Sequence, residues 1–242
     1  MLVALGAQAQ TSPLTLGAGL HHSSGDYGTG STTKITSLAA TGSYETGPWT
    51  YKATIPYLEV SGQSAVVPGV GPVGGGARRT RTETGLGDIV LSATYAAYYD
   101  PASTLGVDVT GKLKLATADE GKGLGTGEHD AAFLVDFYQA FGRVTGFGGI
   151  GYHILGDSRA LPLDNVWSAN LGASYRLDER DSAGAMLEGR QRALPGGSPQ
   201  RELIGFFARK LDRAWKAQAY ALIGLADGSP DWGAGLSFAR PL

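Results

Sequence analysis

Residues 106 to 117, GVDVTGKLKLAT, alternate without a break. Val107, Val109, Gly111, Leu113 and Leu115 take one parity; Asp108, Thr110, Lys112 and Lys114 take the other. Successive side chains of a β-strand point to opposite faces, so this stretch has an oily face and a charged one. The same period recurs in WTYKATIPY (49–57), GDIVLSATYAAYY (87–99), AAFLVDFYQAF (131–141) and VWSANLGASYRL (166–177). No segment carries a capped 3.6-residue stripe, and no apolar run nears the ~18 residues of a membrane-spanning helix. A chain written this way folds into sheet. Its oily faces meet either one another in a core or the acyl chains of a bilayer.

Turn residues divide the chain into about twelve strands, near 13–22, 32–44, 49–60, 86–99, 104–117, 130–141, 143–154, 165–177, 182–192, 201–210, 213–225 and 231–240. Most exceed the ~5–6 residues of a globular strand and match the ~9–11 that a tilted strand needs to cross a bilayer. The connections alternate in length. ETGP (45–48), DPAS (100–103), the Gly142 turn, DERD (178–181) and KLDR (210–213) are tight; 23–31, 61–85, 118–129, 155–164, 193–200 and 226–231 are long. Short turns on one rim and long loops on the other predict an all-β, antiparallel up-and-down transmembrane barrel. The longest loop holds VVPGVGPVGGGARRTRT (66–82), read as a mobile cap with Arg78, Arg79 and Arg81 as a basic patch at the rim.

Composition fits a barrel. Glycine supplies 38 of 242 residues, and charged residues make up 17% where soluble domains have roughly 25%. There is no cysteine, which excludes disulfides and thiol chemistry, and the net charge of −2 gives no reason to expect nucleic acid. The start, MLVALGAQAQ, has an Ala7-Gln8-Ala9 triplet resembling a signal-peptide cleavage site but lacks a basic leader. Residues 1–10 are therefore set aside as signal-like, and 11–242 are read as one barrel domain.

The aromatics choose between core and lipid. With short turns placed at the periplasm, Trp49, Tyr51, Tyr99, Phe137, Phe141, Tyr175, Trp215 and Phe238 fall near that rim on the apolar parity. Tyr57, Tyr152, Trp167 and Trp232 fall near the other. Two aromatic girdles around an aliphatic belt suit two headgroup interfaces, with membrane lipid and lipopolysaccharide as the surroundings. A soluble lipocalin-like or sandwich fold is the alternative. The facing of 32–44 and 201–210 is left open.

The stretches SSGDYGTGSTT (23–33), YETGPW (44–49), TGLGDIVLSATY (84–95), GKGLGTGEHD (121–130) and GLADGSPDWGAGLSF (224–238) occur in this order. Together they resemble a family of bacterial outer-membrane transporters related to the MetA-pathway phenol-degradation outer-membrane proteins. The resemblance implies a twelve-stranded outer-membrane barrel that moves small, in part aromatic, compounds. It carries over no catalytic residue.

On the lumen parity lie Lys52, Lys112, Lys114, Arg143, Arg176, Arg190, Arg192 and Lys216, against Asp88, Asp108, Asp130, Asp136 and Glu188. That balance predicts a passive channel for small molecules with a mild preference for anionic organic compounds, or else a ladder of compensating ion pairs. Arg190 and Arg192, close to Glu188, are the candidates for a constriction. Tyr98, Tyr138, Phe147, His153 and Tyr220 share the inward parity, as an aromatic slide or as packing.

A membrane-embedded hydrolase is the alternative from another class. His22 and Ser24 have the spacing of a phospholipase-like pair, but no suitably placed Asn is evident to orient the base. A structural barrel without transport is a third reading. Asp119, Glu120, Glu128 and Asp130 do not follow the Ca²⁺-loop spacing, and GFGGIG (146–151) sits inside a strand with no helix after it. No catalytic residue, cofactor or metal is expected. A monomer is favoured.

Overall fold

The computed structural model describes residues 12–63, 66–68, 70–72, 80–158 and 161–242. The signal-like segment, with Arg78 and Arg79, lies outside the described residues. The strands are β1 (Leu14–Gly25), β2 (Thr33–Thr46), β3 (Trp49–Gln63), β4 (Val66–Val67), β5 (Gly71–Pro72), β6 (Thr80–Leu86), β7 (Ile89–Asp100) and β8 (Leu105–Leu115). They continue with β9 (Asp130–Phe141), β10 (Val144–Ile154), β11 (Val166–Arg176), β12 (Asp181–Arg190), β13 (Gln200–Lys210), β14 (Lys216–Gly224) and β15 (Trp232–Pro241).

Each long strand pairs antiparallel with its chain neighbours. β1 pairs with β15, and the β2–β3 pairing closes the sheet into a 12-stranded barrel in which β6 and β7 act as one interrupted strand. Closure leaves no sheet edge, which a bilayer requires because lipid offers no partner to a free backbone group. The tight hairpins use glycine where the turn demands a left-handed residue: Gly47 has φ 55 and Gly142 has φ 66.

The interruption in β6–β7 has a cause in the opposite strand. β3 pairs with β7 as far as Thr54–Val90 and with β6 from Tyr57–Leu86. Two residues of β3, Ile55 and Pro56, thus face three, Gly87 to Ile89. Proline has no N–H to give a ladder, so the bulge forms where a donor is missing. The Pro56 carbonyl takes the Gly87 N–H at 2.9 Å instead. β3 and β6 then run on together past the long-loop rim, over residues that turn chemistry alone reads as loop.

The polarity is inverted relative to a soluble protein. Leu113 is 54% exposed and Leu171 64%, whereas the inward Phe147 is 6% exposed. Leu16, Leu38, Ile55, Leu91, Ile150, Leu187 and Leu236 are likewise exposed and form the aliphatic belt. The oily side of 106–117 lies outside, and Lys112 and Lys114 lie within. Trp49, Tyr51, Tyr57, Phe137, Phe141, Trp167, Tyr175, Trp215, Trp232 and Phe238 are exposed on the exterior, and the Tyr152 ring sits 4.8 Å from that of Trp167. Near the short-turn rim, the Arg240 guanidinium lies over Trp215 and that of Arg209 over Phe207. Charges on the lipid side are tolerated there because their cost falls to about 0–1 kcal/mol near the interface.

A second bulge changes one pair of aromatics. The β7–β8 register slips between Ala96 and Tyr98, so Tyr98 stands opposite Val107 and Tyr99 opposite Gly106. Simple alternation puts Tyr99 outside and Tyr98 inside. The extra residue, Ala97, reverses them, and Tyr98 takes the exterior face while Tyr99 takes that of the lumen.

Candidate functional site: the barrel lumen

The strands whose facing the sequence left open are resolved by register. On β13, Glu202, Ile204, Phe206 and Ala208 turn inward while Leu203, Phe207 and Arg209 turn out; on β2, Ile35, Ser37 and Ala39 turn inward. Register also sorts the lumen charges by height. At the short-turn rim, Arg143 and Arg176 are exposed, Arg176 donates to the Gly142 carbonyl at 3.0 Å, and Lys216 stands opposite Lys210. Arg192 lies past the end of β12 and is exposed at the other rim.

Between the rims, Asp108 is opposite Asp136, Asn170 opposite Glu188, and Glu188 opposite Glu202. With Gly149 between Asp136 and Asn170, these residues form one acidic row across six successive strands. Lys52 and Lys112 flank Ser92 two levels higher, past Thr110. Arg190 shares its face with Glu188 and stands between Ser168 and Gln200.

Toward the long-loop end, Lys114 is a hub. Its ammonium reaches Asp130 at 2.8 Å, Asp88 at 3.4 Å and the Thr126 hydroxyl at 3.0 Å. Asp88 in turn accepts the N–H groups of Thr117 and Ala118, and Asp130 that of Gly156. One lysine thereby ties two loops to the wall.

Phe147, Met186 and Phe206 form a cluster with Tyr138, Ile204 and Tyr220. Tyr138, Phe147 and Tyr220 thus pack along one wall of the lumen. Glycine makes the room: a Cβ on Gly184 would strike the Phe206 ring, and one on Gly235 would strike both Tyr220 and His21. His21 and Tyr220 meet over that bare backbone, with ring centroids 5.7 Å apart and Nδ1 3.2 Å from the hydroxyl oxygen.

The hairpin β4–β5 crosses the mouth. Val67 and Val70 are buried against Leu155, Leu163, Val166 and Ala193. Those residues belong to the β10–β12 side, nearly opposite β3 in the strand order. Val166 is 0% exposed. The cap read from the sequence is therefore seated on an apolar contact. Beneath it lies a cavity of about 270 Å³ lined by His21, Ser23, Tyr27, Val66, Val67, Pro68, Glu202 and Tyr220 among others.

Tyr27 comes from the β1–β2 loop, is 5% exposed, and holds φ 50, a left-handed conformation uncommon for a bulky residue. Its hydroxyl lies 3.2 Å from Ser23 Oγ, and burial pushes its pKa above the ordinary tyrosine value. Neither Glu202 nor Tyr27 was singled out from the sequence. The first sits on a strand whose alternation is blurred by PhePhe, and the second in a loop that period-two reasoning does not reach.

The residues of the hydrolase reading are engaged elsewhere. His22 Nδ1 lies 2.9 Å from Thr36 Oγ1, its ring packs 5.4 Å from that of Trp232, and Ser24 is buried. Inside the lumen, His153 Nε2 is 2.8 Å from Ser168 Oγ. Asp119 caps a single turn of 3-10 helix (Glu120–Lys122), and Asp130 belongs to Lys114. Among the described residues no group of three His, Cys, Asp or Glu is placed to hold a metal ion.

Residues 15–239 match the family model described as "Putative MetA-pathway of phenol degradation". No curated protein matches the chain. Among solved structures, the COG4313 outer membrane channel from Pseudomonas putida F1 is similar at 17% identity and TM-score 0.72, covering 99% of both chains. The CymD monoaromatic hydrocarbon channel is similar at 11% identity and TM-score 0.51, over 96% of this chain and 89% of that one. The toluene transporter TbuX from Ralstonia pickettii is similar at 10% identity and TM-score 0.51, over 96% and 90%.

Proposed function

The chain belongs to this phenol-degradation family of barrel proteins, and from that premise we propose that it is a passive outer-membrane channel for small organic molecules. The observation that carries the reading is the inverted polarity: an aliphatic exterior encloses a lumen that carries Lys52, Lys112, Arg190 and the acidic row. Single-ring aromatics are the first solute class to try, because two of the similar structures bear the names of monoaromatic and toluene channels.

Residues 11–242 act as one barrel domain. Lys52, Asp88, Asp108, Lys112, Lys114, Asp136, Glu188 and Arg190 line the path. Arg143, Arg176 and Lys216 line its short-turn exit, and Arg192 lies beside its entrance. Ten of the girdle residues and Tyr152 contact phospholipid and lipopolysaccharide headgroups, with Tyr99 at the lumen rim instead. The continuous apolar exterior suits a monomer. The partners found for His22 support a barrel without catalysis.

The test is single-channel recording in planar bilayers with purified protein and with Val67→Asp, which puts a charge into the seat of the hairpin. Discrete current steps are expected from the wild type, larger ones from the variant. Silence from both would overturn the channel.

A further inference from the structure

We infer that the cavity beneath the β4–β5 hairpin is a recognition chamber for a neutral, hydroxylated single-ring aromatic, with the Glu202 carboxylate accepting a hydrogen bond from the ring hydroxyl. The inference rests on the channel reading and names what such a channel would select.

Size comes first. An apolar cavity of about 150 Å³ holds benzene, so about 270 Å³ accepts a substituted ring with room for a water. The walls suit a ring: the side chains of Val66 and Val67 above, and the Tyr220 and His21 rings along one side.

The chamber is also built rather than left over. Tyr27 is held into it at positive φ, a conformation that persists where its surroundings over-determine it. The Tyr27 hydroxyl is tied to Ser23, and the bare Gly235 lets His21 and Tyr220 close ranks.

Charge then sets the class. Among the described lining residues Glu202 is the one carboxylate, and no lysine or arginine lines the space. None of the ion pairs among the described residues includes Glu202. Glu188 stands opposite it in the next strand. An aromatic carboxylate would face two like charges, a penalty that discriminates against wrong ligands. A neutral hydroxyl instead donates a charge-assisted hydrogen bond, among the stronger ones available. A hydrocarbon of the same shape adds nothing to the Ser229 hydrogen bond that the carboxylate already has.

Calorimetric titration of the full chain in detergent tests this with phenol, toluene, benzoate and benzylamine, on wild type and Glu202→Gln, with single-channel recording of the same samples. Saturable phenol binding is expected, about tenfold tighter than toluene, with benzoate not bound. In Glu202→Gln the preference of phenol over toluene collapses. Equal binding of phenol and toluene by the wild type overturns the chamber and needs no variant to show it. So does tighter binding of benzoate, or of benzylamine, which would make the site one for organic cations. Current steps without phenol preference leave the channel standing and remove the chamber. Phenol preference without any current keeps the chamber and removes the channel.

Discussion

At the scale of single residues, two features of the lumen wall carry measurable stability. Lys114 compensates two carboxylates whose side chains are 11% and 14% exposed. Removing one partner of a fully buried pair costs about 3–5 kcal/mol because a charge is stranded. Lumen water screens this trio in part, so Lys114→Met is expected to lose about 2 kcal/mol in detergent urea unfolding. Adding Asp88→Asn and Asp130→Asn should recover most of the loss, because the triple variant leaves no charge stranded. The second feature is glycine as a seat for a ring. In Gly184→Ala the new methyl meets the Phe206 ring and lies 2.5 Å from the Ala173 carbonyl oxygen. Overpacking of this kind costs about 1–3 kcal/mol. Gly189→Ala, whose methyl finds its nearest neighbour at 3.9 Å, should stay within about 0.5 kcal/mol of wild type. Equal effects in the two variants would show that ring seating is not the cause.

At the scale of elements, the β4–β5 hairpin is held across the mouth by Val67 and Val70 on Leu163, Val166 and Ala193. An unpaired charge cannot stay in such a contact without shifting its equilibrium, so Val67→Asp is expected to unseat the hairpin. Increased protease cleavage between β3 and β6, with the barrel core left intact, is the readout; unchanged cleavage would mean that the contact does not hold the cap. The elements also show what period-two reading reaches. The twelve spans were legible to within a few residues, since lipid and lumen impose opposite chemistry on alternate positions. The reading missed where alternation stops informing. The Ala97 bulge adds one residue and exchanges Tyr98 with Tyr99. The β6 extension carries polar residues on both parities, Thr82 and Thr84 on one and Arg81 and Glu83 on the other, so no alternation marks it. Glu202 escaped because Phe206 and Phe207 place large apolar groups on both faces of one strand. Tyr27 escaped because a loop residue reaches the lumen by its fold rather than by its parity.

At the scale of the whole molecule, the sign of ion selectivity follows from where the charges sit rather than from how many there are. Counting along the sequence favours anions, through Arg143, Arg176, Arg192 and Lys216. The register places Arg143, Arg176 and Lys216 at the short-turn rim and Arg192 beyond β12. There water is plentiful, and charges more than about 8 Å apart are screened at physiological salt. Inside, Lys52, Lys112, Lys114 and Arg190 face Asp88, Asp108, Asp130, Asp136, Glu188 and Glu202. Lys114 is already committed to two of those acids. A confined wall of one sign concentrates counter-ions where the path is narrowest, so the interior outweighs the rims. The reversal potential under a KCl gradient should therefore report a modest preference for K⁺. Glu188→Gln combined with Glu202→Gln should shrink it, as should raising salt toward 1 M, where the screening length falls to about 3 Å. A preference for Cl⁻ at low salt would mean that the rim arginines and lysines control the path and that the acidic row does not.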